Sequence, residues 1–533
     1  MGSRGIYLQW EGKRVYRQRI PTPRLLEPVA SLSLGASSPN MVIEGDNLQV
    51  LASLKSQFGG AVKLIYADPP YNTGNRDFRY SDRRFHDPDA DDSDAVYVSN
   101  EDGGRHTKWL NYMAPRLWMM QDLLRPDGAI MVSIDDNEVF RLGMLMDEIF
   151  GENNRIATFI WQKHHSRNNS AAHVSISHDY IFMYAKNKSL LKVRQLEFEP
   201  QEFSNPDDDP NGPWFSRDLS ANHFYAAGSY KVKSPGGKVF GPTKGRYWSL
   251  SEENFHDLDA KGEIWWGKKT IGRPRLKIYE SRHDAEAVPL SIWPAFEVGH
   301  NQEATKEVRN LGFDDASRHS PKPVRLLKRC INLLCEPKEH AIIMDPFAGT
   351  GTTGHATLAL NHEDGGNRQF ILIEHGIPTE QYCRTLTAER IKRAIKEEKF
   401  GSVGFNFYKT GRKIDRLAIV ALERDALASL ICQSDETGRG KGIARLTGYK
   451  YIIAKNHRSE AICLLWNGQS KGEVTKEHLR AAAVEVTKAG LKRPFRMYGA
   501  YTRVGDTSSW KFCQIPDEIL AQMHIQDDLE DSK

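Results

Sequence analysis

Cysteine is scarce. The 533 residues hold six, Cys330, Cys335, Cys383, Cys432, Cys463 and Cys513, and no two form a CxxC pair. Neither a disulfide framework nor a structural zinc site of familiar spacing is expected. Long apolar runs are also missing. None reaches the roughly 18 residues of a membrane-spanning helix, and mean hydropathy is −0.56. The opening MGSRGIYLQWEGKRVYRQRI lacks the apolar core of a signal peptide, which argues against secretion. Strong net charge is absent as well: Lys+Arg 73 against Asp+Glu 69 leaves +4. That balance excludes a polycation, so any nucleic-acid surface must be local. What is present suffices for real cores, with 39% hydrophobic and 10% aromatic residues. The length suits about two to four domains. The expectation is a soluble, cytoplasmic, multidomain protein with no membrane partner.

Residues 1–40 show no periodicity and end in SLGASSPN, which reads as an arm or linker. A strand–turn–helix follows in MVIEGDNLQVLASL, with Asp46 as the helix cap. VKLIYA (62–67) is an apolar strand that runs into Asp68-Pro69-Pro70-Tyr71. The acidic DPDADDSD (87–94) reads as a solvated loop. A helix is predicted over 107–124, a turn at Arg125–Gly128 and a strand over 129–134. Next come a helix over 137–150 and strands over 157–162 and 179–185. Residues 200–310 break the rhythm with Gly, Pro, Trp and Tyr. The α/β pattern then returns: helix 323–335, strand 341–344, the turn DPFAGTGTTG (345–354), helix 355–360, strand 369–374 and a basic helix over 386–398. Strands alternating with amphipathic helices predict a parallel sheet covered on both faces. One α/β domain is thus split by an insertion, and a further module begins near Asp415.

Two loops carry the chemistry. Gly349, Gly351 and Gly354 satisfy GxGxxG between a strand and a helix, and Glu374 ends the next strand. Glycines let the backbone approach a nucleotide-type cofactor, and the acid accepts from ribose hydroxyls. A nicotinamide site would share this pattern, but the Asp345-Pro346-Phe347 opening is not the hydrophobic approach usual there. The second loop, Asp68–Tyr71, also leaves the carboxyl end of a strand, where open α/β sheets bind ligands. Asp68 and the Pro69 carbonyl are acceptors, consecutive prolines stiffen the backbone, and Tyr71 offers a flat ring. Together they can hold a planar base by its exocyclic amino group. They also oppose delocalisation of the nitrogen lone pair into the ring, leaving it free to attack an electrophilic methyl.

ADPPYNTGN (67–75) and DPFAGTG (345–351) resemble the catalytic and S-adenosylmethionine motifs of amino-methylating DNA methyltransferases, in the order of the β class. GDNLQVL (45–51), SIDDNE (133–138), LMDEIFGENN (145–154), ATFIWQK (157–163) and SHDYIFMYAKN (177–187) resemble modification subunits of type III restriction–modification systems. SPKPVRLL (320–327) is similar to the segment that closes over the methionine end of the cofactor. The resemblance covers roughly 41–410. It implies a Rossmann-like S-adenosylmethionine-dependent methyltransferase fold with an inserted target-recognition region, and methyl transfer to adenine N6 in double-stranded DNA with the base flipped out. Asp68, Pro69 and Pro70 would frame the amino group and Tyr71 would stack on the base. Asp345, Phe347, Gly349 and Gly351 would line the cofactor, Glu374 would take its ribose, Asp46 would approach its adenine and Lys322 its carboxylate. Asp at the first motif position favours adenine; N4-cytosine methylation is the alternative. A homodimer and a helicase–nuclease restriction subunit are the partners implied, and a subunit that chiefly guides such a nuclease is a further alternative.

The implied domains are an arm (1–40), a catalytic half (41–199), a target-recognition region (200–319), a cofactor half (320–414) and a small C-terminal α+β module (415–533). Residues 231–282 hold 12 Lys/Arg and 6 Asp/Glu. Lys268, Lys269, Arg273, Arg275 and Lys277 lie among Tyr247, Trp248, Trp265, Trp266 and Tyr279, a candidate DNA surface. Gly468-Gln469-Ser470-Lys471-Gly472 matches the GxSxG hydrolase elbow, but nothing supplies its partners. His164, His165 and His178 read as structural or DNA-facing, since no further metal ligands converge on them.

Overall fold

The computed structural model describes residues 8–13, 20–35, 38–75, 78–90, 94–166, 173–197, 203–282, 286–314, 320–375, 381–439, 442–466 and 473–523. The GxSxG match at 468–472 therefore lies outside the described residues. The chain divides into two compact units, 1–193 with 290–533, and Arg194–Pro289.

The first unit is built on a ten-stranded sheet. In chain order its elements are β1 (Arg24–Pro28), β2 (Met41–Glu44), α1 (Asn47–Phe58), β3 (Val62–Ala67), α2 (Arg105–Leu123), β4 (Leu124–Ile134), α3 (Val139–Phe150), β5 (Arg155–Gln162), β6 (His178–Ala185) and β7 (Ile292–Trp293). They continue with α4 (Val324–Leu334), β8 (Ile342–Asp345), α5 (Thr352–Asp364), β9 (Gln369–Glu374), α6 (Glu389–Glu397) and β10 (Asn406–Lys413). The strand order is β1-β10-β2-β9-β8-β3-β4-β6-β5-β7. The stretch from β10 to β4 is parallel throughout, which is the core of a Rossmann-like fold. Every residue of β3 and of β8 is buried, as expected for strands covered on both faces.

The flanks are not parallel. β6 runs antiparallel to both β4 and β5, as a short connection between β5 and β6 allows for antiparallel neighbours. Arg24–Pro28, inside the segment read as an arm, pairs antiparallel with β10 as an edge strand. Arg125–Gly128, predicted as a turn, lies within β4. There the register slips between Val62↔Leu124 and Leu64↔Ala129, and Asp127 pairs with both Arg125 and Lys63. The acidic run is anchored where it is described. Asp89 accepts from the Thr22 backbone and hydroxyl and pairs with Lys413, and Asp94 accepts from Ser81.

The C-terminal part of this unit is α+β. α7 (Arg424–Ser434) precedes β11 (Ile443–Arg445), β12 (Ile452–Asn456), β13 (Glu460–Leu464), α8 (Lys476–Lys488), β14 (Lys492–Gly499) and β15 (Trp510–Gln514). The five strands form one sheet in the order β11-β12-β13-β14-β15. Ser56 of α1 donates to the Gln433 carbonyl, and the Gln433 side chain donates to the Leu26 carbonyl.

The unit Arg194–Pro289 has an antiparallel sheet of Trp214–Asp218, Arg275–Tyr279 and Ile264–Trp265. The helix Glu252–Ala260 is capped by the Ser251 hydroxyl. Its core is aromatic, with Tyr230, Trp248, Phe255 and Trp266 packed on Ile264 and Leu276. Among the described residues, no helix is long and apolar enough to cross a membrane, and no group of His, Cys, Asp or Glu is placed to hold a metal ion.

Candidate active site

β3 and β8 are direct parallel neighbours, with Leu64 opposite Ile343 and Ile65 opposite Met344. Their carboxyl ends therefore release the Asp68 turn and the Asp345 turn side by side. One pocket is lined by Asp68 from the first turn, by Asp345, Phe347, Gly349 and Thr353 from the second, and by Lys322. Turns far apart in the chain thus share a single opening.

The Asp68 turn is held from several directions. Trp109 of α2 donates its indole N–H to the Pro70 carbonyl at 2.7 Å. Asn72 is fully buried, takes a positive φ of 57° and donates to Glu138 at 2.5 Å. Glu138 in turn meets His106 Nδ1 at 2.6 Å. The Tyr71 hydroxyl donates to Asp68 Oδ1 at 2.9 Å and lies 3.5 Å from Asp179, which is paired with Lys163 at 2.6 Å. Burial first, then the Asp179 and Asp68 carboxylates, push the Tyr71 hydroxyl well above its usual value, so it stays protonated.

The second turn is shaped by glycine. Gly351 caps α5 at φ +81°, and a Cβ there would come within 3.1 Å of the Thr387 carbonyl. Gly349 also has a positive φ, and an added Cβ would meet nothing closer than 3.9 Å. Beneath the turn, buried Arg390 donates to the Thr350 and Thr352 hydroxyls at 2.7 and 2.8 Å. Asp345 accepts from the Phe347 N–H at 3.0 Å and from the Thr353 hydroxyl. Burial nevertheless raises its carboxyl to about 7. Glu374 ends β9 and accepts from the backbone N–H of Gly349 at 2.6 Å and of His375 at 3.0 Å. Burial lifts Glu374 to about 7 as well.

Two of the expected cofactor residues sit differently. Asp46 caps α1 through the Gln49 N–H, and its Oδ2 is taken by Arg84 at 2.8 Å and Arg116 at 3.1 Å. Burial works to raise this carboxyl, but the two guanidiniums outweigh it and hold it well below the usual carboxylate range. Asp46 is not among the residues lining the pocket of Asp68 and Gly349, and neither are Gly351 and Glu374, which adjoin it through the Gly349 turn. Lys322 does line that pocket, but its ammonium is engaged with Asp68 at 2.7–2.8 Å.

In the unit 194–289, Lys268 and Lys269 are exposed. Arg273 packs over Trp248 at 4.6 Å, and Arg275 donates to the Ser216 hydroxyl and carbonyl. Lys277 is internal, paired with Asp207 at 2.6 Å and with Asp209. It is part of the packing of its sheet rather than of a cationic face.

Trp109, Asn72, Glu138, Asp179, Lys163 and Arg390 are not among the site residues expected from the sequence. Asn72, Glu138, Lys163 and Asp179 fall inside the family-like motifs, which mark their segments without giving these side chains a role. Trp109 and Arg390 lie outside those motifs, act across the fold and leave no local spacing signal.

Residues 62–388 match the DNA methylase family, and the chain belongs to that family. Among curated proteins it is 35% identical over 356 residues to the Type III restriction-modification enzyme StyLTI Mod subunit of Salmonella typhimurium, covering 64% of this chain and 53% of that protein. It is 31% identical over 376 residues to the EcoPI Mod subunit of Escherichia phage P1, covering 63% and 58%. With the EcoP15I Mod subunit of Escherichia coli it shares 28% identity over 507 residues, covering 80% and 78%. The chain thus spans between half and three-fifths of the length of the first two relatives.

Proposed function

We propose that this protein is a site-specific DNA methyltransferase that moves a methyl group from S-adenosylmethionine to adenine N6 in double-stranded DNA. The observation that carries this reading is the shared pocket of the Asp68 and Gly349 turns. The residues present fit the cofactor. The open face of Gly349 admits a close ligand, Glu374 stands behind it as an acceptor for hydroxyls, and Lys322 is the one cation among the described lining residues.

When bound, S-adenosylmethionine supplies a methyl group on a sulfonium sulfur. Asp68 and the Pro69 carbonyl accept the two amino hydrogens of the flipped adenine, keeping the nitrogen lone pair out of the ring. With the methyl donor bound alongside, the amino nitrogen held there would be its acceptor, and Asp68 would take the proton that nitrogen gives up. Tyr71, kept protonated, steadies Asp68 and offers its ring to the base. Flipping costs a few kcal/mol, and stacking of roughly 1–3 kcal/mol offsets much of it.

The division of labour follows the same reading. Residues 41–199 supply the catalytic half, 320–414 the cofactor half, and 200–319, with Lys268, Lys269, Arg273 and Arg275, target recognition. No role is assigned to 415–533. The relatives named Type III Mod subunits support a restriction–modification role; a cytoplasmic location, a helicase–nuclease restriction subunit as partner and a homodimer as the working assembly are part of the same proposal. The test is to express the chain in a host lacking DNA methylation and sequence its DNA with a modification-sensitive method. N6-methyladenine at one recurring motif is the expected result. N4-methylcytosine would reassign the base, and unmodified DNA would refute the activity.

A further inference from the structure

Lys322 spends all of its hydrogen-bonding capacity on the base side of the pocket. An ammonium has three N–H donors, and here they reach Asp68 Oδ1 at 2.8 Å, Asp68 Oδ2 at 2.7 Å and the Tyr71 hydroxyl oxygen at 3.1 Å. The same Nζ lies 5.1 Å from the centroid of the Tyr71 ring. One cation therefore engages both the carboxylate and the hydroxyl end of the aromatic ring that a flipped base would need.

That arrangement conflicts with methyl transfer at Asp68. A nitrogen that attacks a sulfonium methyl gains positive charge before it loses its proton, and a neighbouring ammonium opposes that charge in a partly desolvated site. Lys322 must therefore be elsewhere when the reaction occurs. Its backbone cannot readily travel, since Pro321 and Pro323 flank it and Pro323 caps α4. Its side chain can, along four rotatable carbons. The other charged residues lining the pocket are the acids Asp68 and Asp345, so Lys322 is where an anionic ligand group would be drawn.

We propose that Lys322 is a displaceable block on the base site, held by Asp68 and Tyr71 and drawn off by a carboxylate of the ligand on the Gly349 side of the same pocket. Resting on the methyltransferase reading, this makes Lys322 a positioning residue that enforces order: the cofactor's amino-acid end must bind before Asp68 can take the target amine. It also makes Asp68 a competitor of the ligand for one ammonium.

Titration calorimetry without DNA tests the competition. The probes are S-adenosylhomocysteine, which has the carboxylate, and 5′-methylthioadenosine, which lacks the amino-acid end. Asp68→Asn is expected to tighten S-adenosylhomocysteine binding roughly fivefold, the scale for releasing one partly exposed ion pair, and to leave 5′-methylthioadenosine unchanged. In a Lys322→Met background the tightening should vanish. Asp68→Ala provides the same comparison with the same sign if the Asn variant does not fold. Unchanged or weaker binding in the folded Asp68 variants, or tightening that persists without Lys322, overturns the proposal. Failure of the folded wild-type protein to bind either probe is a different result: it overturns the methyltransferase reading, and this proposal with it.

Discussion

The backbone N–H of Gly349 donates to Glu374 Oε2 across 2.6 Å, so the glycine turn after β8 and the acid that ends β9 are tied together at one edge of the sheet. Burial raises Glu374 to about 7, and Asp345, on the same turn, likewise. Both acids are therefore partly protonated near neutrality.

This gives a pH dependence with a definite sign. A sulfonium ligand with ribose hydroxyls favours the ionised carboxylates, so its affinity should rise as pH climbs through 7 and level off above it. Glu374→Gln should weaken binding and flatten the slope, as read by calorimetry between about pH 6 and 8. Affinity that falls with rising pH would contradict the assignment. Stability runs the other way. With folded-state values above the unfolded ones, these two acids favour the folded state most at low pH and lose that contribution as pH rises toward 7.

Asp68→Ala should abolish methyl transfer while cofactor binding is kept and tightened, because it removes the acceptor for the target amine and frees Lys322. Transfer assays and calorimetry on the same preparation check this. Full residual transfer would refute the role.

Trp109→Phe should separate positioning from binding. It keeps the buried ring but removes the donor to the Pro70 carbonyl. Loss of one such bond costs about 1 kcal/mol, so a drop of about tenfold or less in kcat with unchanged cofactor affinity is expected. An unchanged kcat would show that the turn is held without it.

The cations of residues 268–277 should behave as two classes. Lys268→Ala with Lys269→Ala is expected to weaken DNA binding and reduce the salt slope by roughly 2, about 0.9 for each phosphate no longer neutralised. Lys277→Ala should instead destabilise its unit, since breaking a buried pair costs about 3–5 kcal/mol. Thermal melts and salt-dependent binding distinguish them; a salt slope unaffected by the first pair would remove them from the DNA surface.

How far these features were legible in the sequence depended on whether their chemistry was contiguous. The Asp68 and Gly349 turns were readable because each packs its acceptors, glycines or prolines into a few residues between an apolar strand and the next element. Their place at the carboxyl edge of one sheet followed from strand logic; that their two strands are direct neighbours is what the structure adds. What stayed hidden depends on packing across the fold. Trp109 reads as one core aromatic of an amphipathic helix, and Arg390 as one more cation in a basic one. Lys277 sits in a cationic run yet turns inward to Asp207 and Asp209, a difference of strand face that composition cannot register. Arg125–Gly128 has turn chemistry but is absorbed as an irregularity within β4, because the pairing with β3 continues on both sides of it.

The most direct test of the central claim is methyl transfer itself. Purified protein is incubated with methyl-deuterated S-adenosylmethionine and DNA carrying the motif found by sequencing, and the nucleosides are analysed by mass spectrometry. Deuterated N6-methyldeoxyadenosine from the wild type, and none from Asp68→Ala, is the predicted result. Unlabelled nucleosides from a wild-type protein that binds both cofactor and DNA would contradict it.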